Sequence, residues 1–158
     1  MKPHRSPVSL LHVKGLDRLA SVRENRESGN RMQQVIGWQV CMYGFHQKKD
    51  QLSEPMRVFL LRCAEAVHRD YPDAKIVLYG SQARGEATPE SDVDILVLLS
   101  SDISSQERSG IHDRLYEIGL ECDAVISASI KSVSHWERPM SRATSLYQAV
   151  QEEGILVT

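Results

Sequence analysis

The sequence predicts an α/β (α+β) fold, a small mixed sheet with helices packed on one face. Three observations lead there. Residues 75–79, Lys-Ile-Val-Leu-Tyr, are apolar and β-branched, as a buried strand requires. A second such run, Ile95-Leu96-Val97-Leu98-Leu99, follows a polar turn region. Helix-spaced apolar residues with capping signals lie on either side of both runs. The order is helix, strand, strand, helix, strand, helix and a short final strand.

The first helix starts at Ser53-Glu54-Pro55, a capping residue with proline in the first turn. Met56, Phe59, Leu60, Cys63 and Val67 then share one face, and Tyr71-Pro72 stops the helix. Gly80-Ser81 ends the first strand, and Thr88-Pro89-Glu90-Ser91 is turn chemistry before the second. Ser104 and Glu107 have the spacing of a capping box. Ile111, Leu115 and Ile118 form the buried stripe of this second helix, and Gly119 marks its end. Residues 121–127 read as the third strand, with Asp123 near its start. Residues 131–139 read as a short helix or loop. The last helix covers residues 141–153, with Leu146, Ala149 and Val150 inward and Gly154 as its cap. Residues 155–157, Ile-Leu-Val, add an edge strand. Trp136 and Tyr147 are read as packing residues rather than cleft lining.

The chemistry concentrates in residues 80–94. Gly80 lacks a Cβ, so a phosphate can approach its backbone. Ser81 adds a hydroxyl and an N–H, and successive N–H groups in such a turn form an anion-binding concavity. Arg84 supplies a positive fork for phosphate or base, or else a surface ion pair. Asp92 and Asp94 are two residues apart on a strand, so they share a face, roughly 7 Å apart along the chain. Two such carboxylates repel unless a cation lies between them, and hard oxygen ligands suit Mg²⁺. With Asp123 on a neighbouring strand, three carboxylates could hold two cations, and Asp123 would face the attacking nucleophile.

Gly80-Ser81, ten residues, then Asp92-Val93-Asp94 in a strand–turn–strand context resembles the nucleotidyltransferase superfamily related to DNA polymerase β. Within it, the chain is similar to the minimal nucleotidyltransferases (MNT). The resemblance spans residues 53–158, including Asp123 and a terminal helix that ends in Glu153-Gly154 before an apolar strand. It implies the polymerase β-like fold and an enzyme using ATP as donor with Mg²⁺. It also implies a partner, a helical HEPN-domain toxin whose tyrosine the MNT antitoxin adenylylates. Two rivals stand beside that reading. One is a transferase acting on a small molecule of the aminoglycoside kind through a homo-oligomer interface. The other is a non-catalytic antitoxin that occludes the toxin. Larger relatives add helical domains that grip the acceptor; here that site is expected from a second protein or a second copy.

At 158 residues the chain is expected to form one domain, residues 52–158, preceded by an N-terminal extension, residues 1–51. The extension does not match the family. It is expected to be a poorly ordered arm, a partner-binding segment or sequence upstream of a later start at Met32, Met42 or Met56. It holds nine Lys/Arg against four Asp/Glu, whereas residues 52–158 hold ten against seventeen. A net-negative catalytic domain argues against tight nucleic-acid binding. No run approaches the ~18 apolar residues of a membrane span, and the basic N-terminus lacks a signal peptide's apolar run. Cys41, Cys63 and Cys122 have no metal-ligand spacing and read as free thiols, which points to the cytoplasm. The six histidines are scattered without ligand spacing.

Overall fold

The computed structural model describes residues 43–44 and 52–158. The remainder of residues 1–51, with Cys41 and the expected boundary at residue 51, lies outside the described residues. Five strands form one mixed sheet in the order β1-β5-β2-β3-β4. They are β1 (Tyr43–Gly44), β2 (Lys75–Tyr79), β3 (Val93–Leu99), β4 (Ile126–Ser132) and β5 (Ile155–Leu156). The central pair β2–β3 is antiparallel, β3–β4 is parallel, and β5 runs antiparallel to β2 and parallel to β1. The expected edge strand at the C-terminus is therefore an inner strand, because Tyr43–Gly44 pairs along its outer side.

Two long helices cover one face. Helix α1 (Glu54–His68) starts where the sequence predicts, with the Ser53 side chain accepting from the Met56 N–H. Helix α3 (Ser105–Glu121) begins with the full capping box between Ser104 and Glu107. Alternation along the strands sends Ile76 and Leu78 of β2, and Val93, Ile95, Val97 and Leu99 of β3, to these helices. There they meet Leu60, Cys63 and Val67 of α1 and Ile111 and Leu115 of α3. Burial pushes the Cys63 thiol up to about 12. The opposite face is partly covered by short helices α4 (Val133–Trp136), α5 (Pro139–Arg142) and α6 (Ser145–Glu153). Trp136 and Val150 are buried there, and Trp136 packs on Tyr147 with ring centroids 4.9 Å apart.

Three local expectations need correction. The strand expected over residues 121–127 starts later, at Ile126, because α3 runs on to Glu121. Gly119 does not stop the helix. It sits inside it, where a Cβ would come within 2.6 Å of the Ala124 carbonyl oxygen. Glycine there lets the chain fold back tightly, with the Ala124 N–H donating to the Gly119 carbonyl at 2.9 Å. The chain turns at Asp123, which takes a left-handed conformation with φ 51°. The helix expected over residues 141–153 is split into α5 and α6, because Thr144 caps α6 by accepting from the Tyr147 N–H. Of the short helix or loop expected over residues 131–139, residues 131–132 belong to β4, 133–136 form the short helix α4, and Pro139 opens α5.

Candidate active site

The site lies on the sheet face opposite α1 and α3, where β2 ends and β3 begins. Asp94 pairs with Tyr79 across β2–β3 and with Ser127 across β3–β4, so the three form a cross-strand row on this face. Asp94 is half-buried, and Asp92, just ahead of the strand, is exposed. The five strand residues after Asp94 are buried, so the carboxylates stand at the mouth of an otherwise apolar strand. Burial, and then the like charges of Asp92 and Glu153, push the Asp94 carboxyl above its ordinary value. A hydrogen bond from Ser127 and the charge of Arg84 act the other way. Burial likewise raises the Tyr79 hydroxyl, against a hydrogen bond with Ser129.

Gly80 begins a tight turn into α2 (Ser81–Arg84) with φ 77° and ψ −158°, a region that L side chains avoid. The absence of a Cβ serves Asp94: a Cβ at residue 80 would collide with its Oδ2. The expected opening for a phosphate at that atom is thus taken up by the site's own carboxylate. Ser81 and Arg84 occupy the two ends of the one-turn helix.

The structure adds a residue that spacing alone did not single out as part of the site. Glu153, in the last turn of α6, accepts a hydrogen bond from the Gly80 N–H at 2.7 Å. It also accepts from Arg84 Nη1, at 3.0 Å on Oε1 and 2.8 Å on Oε2. Arg84 Nε donates to Glu86 at 2.7 Å. These hydrogen bonds, Glu153 first, hold the Arg84 guanidinium still more firmly in its charged form. The only sequence signal for Glu153 was its position before Gly154 at the helix end.

Asp123 is not brought into this group. It is exposed, in the turn after α3, and is not among the charges acting on Asp94. Among the described residues no three His, Cys, Asp or Glu side chains gather as a metal site. The expected triad of carboxylates is therefore a pair. The reason is local: the strand begins three residues after Asp123, and Ser127 takes the register position beside Asp94. Asp92 and Asp94 fit one divalent cation, since their mutual repulsion and the partial burial of Asp94 are what a cation between them would relieve. Glu153, the next carboxylate to act on Asp94, is engaged by the Gly80 N–H and Arg84.

A Gly-Ser turn on one antiparallel strand facing an Asp-x-Asp on the next defines a nucleotidyl-transferring class of domain. Residues 60–157 match the nucleotidyltransferase domain, and the chain belongs to that family of enzymes. It is 34% identical over 80 residues to a protein of Methanocaldococcus jannaschii that is provisionally named a protein adenylyltransferase. That alignment covers 51% of this chain and 73% of the relative. A crystal structure described as a toxin-antitoxin with AMP-PNP overlaps 67% of this chain and 73% of its own, at 20% identity and a TM-score of 0.42. Among the described residues no helix is long and apolar enough to cross a membrane.

Proposed function

We propose that this protein is a metal-dependent protein adenylyltransferase that acts as an antitoxin, transferring AMP from ATP to a HEPN-domain toxin in the cytoplasm. The observation that carries the chemistry is the pairing of half-buried Asp94 with Asp92 beside the Gly80 turn and Arg84. The choice of a protein acceptor rests on the MNT resemblance and on the name of the Methanocaldococcus relative.

In this reading an acceptor hydroxyl oxygen attacks the α-phosphorus of ATP. A new P–O bond forms, the bond to pyrophosphate breaks, and the hydroxyl proton passes to solvent. Asp92 and Asp94 would hold Mg²⁺, which when bound offsets charge on the phosphates. Ser81 offers its hydroxyl and N–H to the outer phosphates. Arg84 places a fixed positive charge at the same corner, held there by Glu86 and Glu153. Asp123 has no part in this scheme.

Among the described residues no three His, Cys, Asp or Glu side chains form a metal-holding group, which favours one second reading, an antitoxin that binds its toxin and occludes it without transfer. Intact mass of the HEPN partner after incubation with this chain, ATP and Mg²⁺ separates the two. Catalysis predicts a gain of whole AMP units that the Asp92→Ala/Asp94→Ala variant does not produce. Removing such charge stabilisation is expected to slow transfer by about 10²–10³-fold or more. No mass gain, with both versions still forming the complex, would overturn catalysis in favour of occlusion.

A further inference from the structure

The side chain of Glu153 is only 13% exposed, and a charge so far out of water needs donors. It draws them from two elements that are remote in sequence. The Gly80 N–H comes from the end of β2, and the Arg84 Nη1 from the end of α2. Gly80 and Glu153 lie 73 residues apart. Both donors belong to the corner that faces Asp94. The Gly80 backbone lies so close to Asp94 that even a Cβ would strike Oδ2, so a small shift of the turn changes where that carboxylate stands. The guanidinium of Arg84 is gripped on two sides, by Glu153 at Nη1 and by Glu86 at Nε. Glu86 is on the same loop and moves with it. Glu153 comes from the C-terminal helix, and so supplies the external reference.

We propose that Glu153 is a positioning residue for nucleotidyl transfer, fixing the Gly80 turn and the Arg84 guanidinium against Asp94 from the last turn of α6. The inference rests on the nucleotidyl-transfer reading above. One consequence is that the Gly80 N–H is committed within the protein. Phosphate is left to Ser81 and to the free edge of Arg84. A second is that the site is assembled only with α6 docked beside β2.

The test compares Glu153→Ala with Glu153→Gln by three readouts. These are AMP transfer to the HEPN partner at varied ATP with Mg²⁺, thermal melting, and amide hydrogen exchange at Gly80 by nitrogen-15 NMR. In Glu153→Ala, kcat is expected to fall by about 10–10²-fold, the cost of a small misplacement at a reacting centre, with the KM for ATP little changed. Exchange at Gly80 should accelerate. In Glu153→Gln the amide oxygen can still accept from the Gly80 N–H, while the amide nitrogen replaces one of the two oxygens that Arg84 Nη1 binds, so protection at Gly80 and part of kcat should return.

Three results would overturn the inference while leaving the transfer reading in place. One is wild-type kcat in Glu153→Ala. Another is a lower KM for ATP in either variant, which would make Glu153 an occupant of the phosphate position. The third is loss of activity only in proportion to the folded fraction. If Glu153→Ala does not fold, Glu153→Gln decides alone: retained Gly80 protection with kcat lowered less than about tenfold supports positioning, and lost protection or tighter ATP binding overturns it. A wild-type protein that binds no ATP and transfers nothing overturns the reading itself, and the inference with it.

Discussion

The two faces of the sheet are built by different rules. On the face under α1 and α3, side chains from both helices and the strands meet in a continuous apolar layer, with Leu60, Ile76, Leu78, Ile95 and Ile111 all essentially inaccessible. No single contact there is unique, and the layer draws its strength from area removed from water. At the corner between β2, β3 and α6, a handful of polar groups hold one another: Gly80, Arg84, Glu86, Asp94 and Glu153. The Gly80 N–H and Arg84 Nε and Nη1 each have a specific carboxylate partner, so replacing Glu153 leaves donors without their own. Substitutions in the apolar layer should therefore cost stability and spare chemistry per folded molecule. Substitutions at the corner should do the reverse.

The largest stability effect is expected from the first region. Leu60→Ala removes a fully buried side chain from the α1–sheet contact and should destabilise the protein by about 2–5 kcal/mol. Denaturant unfolding followed by circular dichroism measures this. AMP transfer, normalised to folded protein, should stay close to wild type. Lost activity with stability intact would break the division between the two faces.

Gly80→Ala sharpens the same division from the other side. The new Cβ must tolerate a positive φ and displace the Asp94 carboxylate. The strain should cost about 1–3 kcal/mol, less than the core cavity. Transfer, however, should fall far more than the folded fraction does. Unfolding curves and transfer rates on the same preparation would show whether the two losses part company.

What could be read from the sequence follows the same line. The strands Lys75–Tyr79 and Val93–Leu99, the Ser53 cap and the Ser104/Glu107 box all announce themselves within a few residues, by period or by spacing. The paired acids at the mouth of β3 were legible for the same reason. The Glu153 contact was not, because nothing local marks a carboxylate that will fold onto a turn 73 residues away. Gly119 misled in the opposite sense. A glycine near a helix end ordinarily signals a stop, whereas here it admits the Ala124 carbonyl against the helix and carries α3 past it. That single difference moved the start of β4 and took Asp123 off the strand.

Asp123 therefore offers the smallest expected effect and the sharpest contrast with Asp94. It is exposed, and its left-handed backbone conformation is one that asparagine adopts about as readily as aspartate. Asp123→Asn should change stability by less than about 0.5 kcal/mol, as for surface positions without special partners. AMP transfer should be unchanged. Asp94→Asn, measured alongside it, keeps the shape but loses the charge in the half-buried position beside Gly80, and should lose transfer. If the two variants failed together, the turn after α3 would have to move to bring a third carboxylate to the site when nucleotide binds. If only Asp94→Asn failed, the chemistry would belong to the pair at the start of β3, with Glu153 and Arg84 as its frame.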